Sequence, residues 1–279
     1  MDKYEINQIY KDEFGRVSGI FAYNKPAGVS SHDIVYKFRK HFETRKVGHA
    51  GTLDPFASGL LLILVGKATK LSDSFLNKDK VYKAQILLGL ETLSGDPEGK
   101  IVDSAKTEIK VNVDSIKDAL TEFVPEYIQT VPVFSSVKVA GKKLRELARS
   151  FDRFEVIKGD EKSIIQFYKE NELAKSVELP AKKVSIYKVD FLESGVLSKE
   201  QVLENFNNVL NAYKKEPLNA DQLYLETYPY ITISAKVSKG TYIRQLAIDL
   251  GNKLQIPSTL INLERTQIGD FTISDTYEL

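Results

Sequence analysis

The sequence contains one segment of unusual composition, Gly48-His49-Ala50-Gly51-Thr52-Leu53-Asp54-Pro55-Phe56-Ala57-Ser58-Gly59, followed at once by an apolar run at residues 60–65. Three glycines and a proline restrict the backbone to an unusual path, and the composition predicts a loop. The apolar run has the length of a strand and shows no alternation, which predicts a strand buried on both faces. The loop therefore leads directly into the interior of the protein.

Asp54 is the carboxylate of this loop. An Asp in a segment rich in Gly and Pro is usually a turn former whose side chain caps nearby amides. A catalytic role is the alternative. Three features favour it here: the loop is long, it holds a lone His and a lone Thr, and it lies beside a basic helix predicted to run from Ser30 or Ser31 to about Phe42.

Outside this segment, helix and strand signals are interspersed without a regular βαβ rhythm, and no internal repeat is visible. The patterns predict strands at residues 17–23, 82–89, 133–139, 184–191 and 231–237. They predict helices at residues 68–76, around 116–123, after 139 and at 241–254. The polar regions 151–176 and 198–228 are interpreted as insertions or peripheral helices on one core, and not as linkers.

Composition excludes several classes of protein. A chain with no cysteine has no disulfides, thiolate metal sites or cysteine nucleophiles. The run at 60–65 is far shorter than the roughly 20 apolar residues that cross a bilayer. The first residues lack the pattern of a secretory signal, so we expect a cytoplasmic protein without a membrane segment. The net charge of +1 neither requires nor excludes a nucleic acid, but residues 25–49 and 138–149 are locally basic, as a solvated face or an RNA-binding surface would be.

Common nucleotide and hydrolase motifs are missing. Six residues separate Gly59 from Gly66 where a phosphate-binding P-loop needs four, and Ala68 stands where that loop needs a hydroxyl. No GxGxxG follows a predicted strand, and no GxSxG is present. The three histidines lack the spacing of a metal site, so we expect no metal.

A second informative segment is Val237-Ser238-Lys239-Gly240-Thr241-Tyr242-Ile243-Arg244-Gln245-Leu246, which runs from an alternating strand through a glycine turn into a helix. One interpretation is a simple helix start, with Tyr242 in the core and Arg244 in solvent. An Arg in the first turn is at the wrong end of the helix macrodipole, however. Its position therefore predicts a specific anionic partner, either a carboxylate or a phosphate.

In these two segments and in several other blocks, the sequence strongly resembles the bacterial tRNA pseudouridine synthases of the TruB type. The resemblance covers most of the chain, with the blocks in family order. The matching blocks are residues 24–31, 48–59 with 66–70, Tyr82, 132–138, 177–187, 238–246 with 249–251, and 263–271. The Gly-Thr-Leu-Asp-Pro and Ser-Lys-Gly-Thr-Tyr-Ile-Arg blocks are individually specific.

The resemblance implies an α+β pseudouridine synthase fold: a mixed, largely antiparallel sheet flanked by helices, with the catalytic cleft across it. It also implies an enzyme that isomerises uridine 55 in the T loop of tRNA, by flipping the base and without a cofactor or metal. Asp54 is expected to be the nucleophile, attacking either C6 of the base or C1′ of the ribose. Arg244 is expected to pair with Asp54, and Tyr82 to stack on the uracil and serve in proton transfer.

The same resemblance implies a set of substrate-binding residues. Tyr82, Tyr242 and Leu263 are expected to line the base pocket, and His49 to fill the gap that the flipped base leaves in the RNA. Lys25 and the basic helix after Ser31 are expected to contact phosphates. The expected partner is the T arm of tRNA, bound by a monomer. Help with tRNA folding is a possible additional role.

Some features depart from the family pattern. Relatives often carry Arg where this chain has Glu264, Cys where it has Val237, and an aromatic residue where it has Arg145. We expect residues 1–279 to form a single catalytic domain with insertions near 151–176 and 198–228, and without the C-terminal PUA-like domain of many relatives. Two alternatives stay open: an RNA chaperone that needs no catalysis, and a synthase that acts on another RNA stem-loop or with a guide RNA.

Overall fold

The computed structural model describes residues 4–157, 159 and 162–279. Residues 1–3, on which the expectation about a secretory signal partly depends, lie outside the described residues. Residues 158, 160 and 161 of the predicted 151–176 insertion also lie outside them. No helix in the described ranges is both long and apolar enough to cross a membrane.

The bounds of the regular elements are as follows. The strands are β1 (Tyr10–Lys11), β2 (Val17–Lys25), β3 (Val47–His49), β4 (Ser58–Val65), β5 (Lys80–Leu88), β6 (Leu90–Thr92), β7 (Ile101–Ser104), β8 (Glu126–Thr130), β9 (Lys138–Val139), β10 (Lys142–Lys143), β11 (Arg153–Ile157), β12 (Ile164–Lys169), β13 (Glu172–Glu178), β14 (Ala181–Ser198), β15 (Thr227–Val237), β16 (Ser258–Ile268) and β17 (Phe271–Thr272). The α-helices are α1 (Ser31–His41), α2 (Ser72–Leu76), α3 (Val113–Thr121), α4 (Leu144–Arg149), α5 (Lys199–Ala212) and α6 (Ile243–Leu254). Short 3-10 turns cover Gly66–Leu71, Ala220–Gln222 and Ile273–Asp275.

One large sheet organises the molecule, with strand order β1-β2-β4-β16-β5-β15-β14-β8; β3 pairs with β4, and β17 with β16. The neighbouring strands are antiparallel except for β4 and β16, which run parallel. The expected mixed, largely antiparallel sheet flanked by helices is therefore confirmed. The loop before β4 ends in the middle of this sheet, where β4 meets β16.

Strand β4 is buried on both faces, as the unbroken apolar run predicts. Successive side chains of a strand point to opposite faces, so its residues divide between two cores. Leu60, Leu62 and Leu64 pack with Phe75 in one core. The intervening residues pack in the other, which includes the buried face of α1. Helices on both sides of the strand leave no face for polar residues.

Helix α1 begins where its sequence predicts. The Ser30 hydroxyl accepts the backbone N–H of Asp33, and the Asp33 carboxylate accepts the backbone N–H of Ser30 in return. This reciprocal capping box satisfies two amides that lack partners within the helix. The first helical residue is Ser31, which places its side chain against the loop before β4.

Two local predictions are wrong. Residues 133–139 do not form a strand: only Lys138–Val139 is extended in a ladder, paired with Lys142–Lys143 in a small hairpin. Pro132 has no N–H to donate to a ladder, and Val133 is apolar because it packs in a core with Leu144 and Phe167. The predicted loop is also too long at both ends, because Gly48 and His49 pair with β4 as part of β3, and Ser58 and Gly59 belong to β4 itself.

The two regions interpreted as insertions have different structures. Strands β11, β12 and β13 form a separate three-stranded antiparallel sheet across most of 151–176, so that region consists of strands and not of peripheral helices. Its buried side chains, Ile165 and Phe167, alternate along β12. Helix α5 occupies much of 198–228. Its Val202 and Phe206 side chains pack in a core with Leu87 of β5 and Tyr228 of β15.

Candidate active site

The loop that carries Asp54 runs between β3 and β4 and is tied to the start of α1. The Ser31 hydroxyl donates to the Leu53 carbonyl and accepts the Leu53 N–H, both at 2.9 Å. The Gly28 N–H donates to the Pro55 carbonyl at 3.0 Å. These bonds lie on either side of Asp54 in the chain, so the backbone at Asp54 is held from both directions.

Just after the loop, at the second residue of β4, the chain passes a point where only glycine fits. Gly59 has φ of +108°, and a Cβ there would lie 2.4 Å from the Arg265 carbonyl oxygen of β16. The close approach of the two strands therefore requires a residue with no side chain. This contact fixes the end of the loop in the middle of the sheet.

Lys25 has a different position from the one expected. Its side chain is fully buried, and its Nζ donates to the carbonyls of Pro26 at 2.9 Å, Val29 at 2.8 Å and Pro55 at 3.3 Å. Burial lowers the pKa of its ammonium group to about 8, against the attraction of Asp54. A side chain enclosed in this way does not reach an RNA phosphate. In the structure, Lys25 holds the loop instead.

Arg265 is a second buried cation that supports the loop, and the sequence analysis missed it. Only 1% of the residue is exposed. Its Nε donates to the Leu60 carbonyl at 2.8 Å, Nη1 to Thr52 at 3.3 Å and Nη2 to Gly51 at 3.2 Å. The sequence signal was available one residue away, because the block 263–271 drew attention to Glu264.

The central contact of the site joins Asp54 to Arg244, which are 190 residues apart in the chain. Arg244 Nε lies 2.9 Å from Asp54 Oδ2. The pair is asymmetric, because 35% of the Asp54 side chain is exposed and only 6% of the Arg244 side chain. The carboxylate thus faces the outside, and the guanidinium holds it from within. The anionic partner predicted for Arg244 is a carboxylate.

The rest of the guanidinium is bound to two backbone carbonyls. Nη1 donates to the Ser94 carbonyl at 2.9 Å, and Nη2 to the Phe134 carbonyl at 3.3 Å. Burial opposes the charge of Arg244, but the neighbouring carboxylates of Asp54 and Asp96 outweigh it and raise its pKa. Arg244 is therefore a permanently charged group with a fixed orientation.

Asp96 is a second carboxylate at this site that the sequence analysis did not single out. It is 4% exposed, and its Oδ2 lies 3.5 Å from Arg244 Nε. Its Oδ1 accepts hydrogen bonds from the Ser94 hydroxyl at 2.6 Å and from the Glu98 N–H at 2.9 Å. Burial raises its pKa to about 6 despite the attraction of Arg244. In the sequence, Asp96 had the pattern of an ordinary turn residue, because Gly95 and Pro97 flank it.

Tyr82 and Leu263 lie on the two adjacent central strands β5 and β16. Tyr82 is half-buried and packs against the core that contains Leu53, Phe56 and Leu263. Leu263 is 4% exposed. The structure thus brings both side chains to the core beneath the Asp54 loop.

Tyr242 precedes α6 and belongs to a neighbouring cluster that also contains Phe134. Gln129 holds its backbone: the Gln129 side chain accepts the Tyr242 N–H at 2.8 Å and donates to its carbonyl at 3.0 Å. Lys182 Nζ lies 4.7 Å from the centre of the Tyr242 ring. Burial raises the pKa of the phenol, so Tyr242 is neutral near pH 7.

His49 ends β3 at the start of the loop and is half-buried. Burial and the charge of Arg265 lower the pKa of its imidazole, which favours the neutral ring. Its Nδ1 is enclosed, with no hydrogen-bond partner in the described part of the chain. Within those same residues, no group of three or more His, Cys, Asp or Glu side chains is placed to hold a metal ion.

Known proteins resemble this chain in sequence and in fold. A family model described as TruB family pseudouridylate synthase (N terminal domain) matches residues 39–171. A tRNA pseudouridine synthase B from Staphylococcus saprophyticus is 36% identical over 94% of this chain and 70% of its own length. The protein of the same name from Acholeplasma laidlawii is 37% identical over 93% of this chain and 75% of its own length.

A solved structure of a Cbf5-Nop10-Gar1 complex contains a chain that superimposes with a TM-score of 0.55 and is 21% identical in sequence. The match covers 97% of the present chain and 57% of the solved one, so this chain spans little more than half of that protein. At this identity the likeness concerns the fold, and it agrees with the fold expected from the sequence.

Proposed function

This chain belongs to the TruB family of pseudouridylate synthases, and on that premise we propose that it isomerises uridine 55 in the T loop of tRNA with Asp54 as the nucleophile. The observation that carries the proposal is the 2.9 Å pair between Arg244 and the partly exposed Asp54. A protein that only binds RNA has no need of an outward-facing carboxylate, which would repel phosphate.

The proposed reaction is covalent carboxylate catalysis. Asp54 attacks either C1′ of the ribose or C6 of the uracil. The N1–C1′ bond breaks, the uracil rotates, and its C5 bonds to C1′. In the C1′ route, formation of the C5–C1′ bond displaces Asp54; in the C6 route, Asp54 leaves C6 as the proton is lost from C5. In both routes C5 loses one proton, N1 gains one, and Asp54 is regenerated. The net reaction is an isomerisation of one nucleotide, so no oxidant or reductant is consumed.

Arg244 has two functions in this proposal. Its Nε–H donates to Asp54 Oδ2 at 2.9 Å, so its positive charge lies against the proposed nucleophile and attracts it. Its bonds to the carbonyls of Ser94 and Phe134 fix the guanidinium, and so fix the direction from which Asp54 is held. Preorganisation of this kind lowers the barrier because the orientation is established before the substrate arrives.

The target base must leave the RNA stack to reach Asp54, at a cost of a few kcal/mol. We propose that Tyr82 stacks on the flipped uracil and takes part in proton transfer, and that Leu263 and Tyr242 form the walls of the base pocket. His49 then fills the vacated position in the RNA. Its lowered pKa supports this role, since a neutral ring is easier to insert between bases than a charged one.

Helix α1 is the proposed surface for the tRNA backbone. Its first residue, Ser31, holds the catalytic loop, and its last turns expose a basic surface. Lys40 lies over the ring of Tyr36, and Arg39, Arg45 and one acidic residue, Glu43, line the shallow depression around them. Lys40 follows Ser31 by nine residues along α1, a rise of about 14 Å, which suits a stem that continues away from a bound T loop.

The decisive experiment uses an unmodified tRNA transcript labelled with tritium at C5 of uridine. Pseudouridine formation releases that hydrogen, so released tritium measures turnover. The position of the product is mapped on the same RNA. We expect one equivalent released per tRNA, at position 55, and none from a transcript with cytidine there. Product at another position would overturn the site assignment, and no release would overturn the activity.

A further inference from the structure

The small sheet formed by β11, β12 and β13 contacts a segment of chain that reaches the Asp54–Arg244 pair. That segment, residues 131–137, carries Phe134, whose carbonyl accepts a hydrogen bond from Arg244 Nη2. No ladder of the large sheet or of the small one includes it. Backbone hydrogen bonds hold this segment at Val131, Ser135 and Val137, and the packing of the Phe134 side chain orients the residue between them.

Phe134 packs against the small sheet. Its ring meets the ring of Phe154 on β11 edge to face, with centroids 5.9 Å apart and planes at 65°. Phe154 lies directly opposite Phe167 of β12, with ring centroids 6.2 Å apart. Phe167 stacks in turn on Phe151 at 5.0 Å. Aromatic pairs in these arrangements hold each other in specific orientations.

The small sheet does not pack tightly on α6, the helix that carries Arg244. A cavity of about 580 Å³ lies between them, lined on one side by Phe154–Ile157 and on the other by Gln245 and Ile248. Phe134 accepts a hydrogen bond from Arg244 itself, whereas Tyr242, from the same cluster, precedes α6. Phe134 is therefore the more direct connection between the small sheet and Arg244.

We propose that Phe154 is a positioning residue for the catalytic pair, and that the small sheet orients Arg244 through the contact between Phe154 and Phe134. The inference rests on the proposed function for its catalytic consequence. Loss of the ring at position 154 frees the Phe134 side chain, displaces its carbonyl and removes one of the two fixed acceptors of Arg244. Asp54 then loses its orientation while the surfaces that bind RNA stay intact.

The test compares three variants of the full chain. Phe154→Leu removes the ring that meets Phe134. Phe154→Tyr keeps the ring and tests for rescue. Phe151→Leu is the matched control, because it removes an aromatic residue from the same cluster without touching Phe134. For each protein, three quantities are measured: the single-turnover rate at saturating enzyme, the Kd for a T-arm hairpin, and the thermal unfolding temperature.

A second readout does not depend on activity. Arginine labelled with ¹⁵N reports the Nε–H of Arg244, which is buried and hydrogen-bonded to Asp54 and so gives a distinct signal. We expect Phe154→Leu to shift or broaden this signal. We also expect it to slow the single-turnover step between about 10-fold and 100-fold, as small misplacements of catalytic groups do, with an unchanged Kd. Phe154→Tyr and Phe151→Leu should keep both the signal and the rate.

Two results would overturn the inference. In one, Phe154→Leu leaves the Arg244 signal and the rate as in the wild type. In the other, Phe151→Leu changes them as much, which makes the effect a general loosening of the cluster. A wild-type protein that is inactive on tRNA, but whose Arg244 signal responds to Phe154→Leu alone, would remove the proposed substrate and leave the positioning role standing.

Discussion

Arg244 Nε lies 3.5 Å from Asp96 Oδ2, so the guanidinium that holds Asp54 is also the counter-ion of a second and deeply buried carboxylate. The two acids differ sharply in exposure, with 35% of the Asp54 side chain accessible and 5% of that of Asp96. One acid is therefore available to a substrate. The other, Asp96, contacts Arg244 and the Ser94 and Glu98 groups of its own turn.

Asp54→Asn should abolish turnover. An amide of nearly the same size is a far poorer nucleophile than a carboxylate. Binding of tRNA should persist, because a carboxylate adds no attraction for phosphate. Tritium release and Kd are measured on the same preparations. Asp73→Asn, at an exposed position on α2, is the control that should behave as wild type. Measurable turnover by purified Asp54→Asn would contradict the proposal that Asp54 is the nucleophile.

Arg244→Lys should lower the single-turnover rate by about 100-fold or more, the cost expected when a catalytic group loses its alignment. Lysine keeps the charge, but its single ammonium cannot reproduce the planar fork that bridges Asp54 to the carbonyls of Ser94 and Phe134. The expected loss is in rate, with little change in Kd for RNA. Arg16→Lys, at an exposed site, is the matched control. A normal rate for Arg244→Lys would mean that charge alone suffices.

Asp96→Asn should change how stability depends on pH. The pKa of Asp96 is raised from 3.8 to about 6 in the folded protein, chiefly by burial. Between these values the folded state binds more protons than the unfolded state, so this group lowers the free energy of unfolding as pH rises. The variant lacks that contribution. As pH rises from about 4 to about 7, the free energy of unfolding of the variant should therefore increase relative to that of the wild type by up to about 3 kcal/mol.

Urea unfolding of both proteins across that range of pH measures the difference. The quantity compared is how the difference in free energy of unfolding between the two proteins changes with pH. The difference at a single pH is not used, because the substitution also alters the contact with Arg244 at every pH. Curves that stay parallel from about pH 4 to pH 7 would show that Asp96 titrates near its ordinary value.

Lys25→Met should weaken the fold without altering the salt dependence of RNA binding, because the Lys25 ammonium is bound to three carbonyls inside the protein. Lys40→Met, on the exposed face of α1, should leave the unfolding temperature unchanged and reduce the salt dependence of RNA binding. Removal of one phosphate contact reduces the slope of log affinity against log salt by about 0.7 to 0.9. The slope and the unfolding temperature are measured for both variants. A reduced slope for Lys25→Met would mean that the side chain reaches the RNA after all.

Much of the local structure could be read from the sequence. The apolar run at 60–65 specified a strand buried on both faces, because no polar residue in it could face water. Ser30 and Asp33 specified the start of α1, because a cap depends only on residues a few positions apart. Specific motifs drew attention to Asp54 and Arg244, since each lies in a block that resembles the family pattern, and the blocks occur in family order.

Other features were decided only by the tertiary structure. The burial of Lys25, the support given by Arg265 and the sharing of Arg244 with Asp96 all depend on contacts between distant segments. No local period or motif records whether a charged side chain is enclosed. The irregular path at 133–139 has the same cause: Val133 is apolar because it enters a core assembled from the small sheet and α4, and not because a strand alternates there. The sequence by itself determined the family, the main strands and the two residues of the central ion pair, Asp54 and Arg244. The packing of remote segments decided how those groups are oriented, because orientation is a property of the assembled interior.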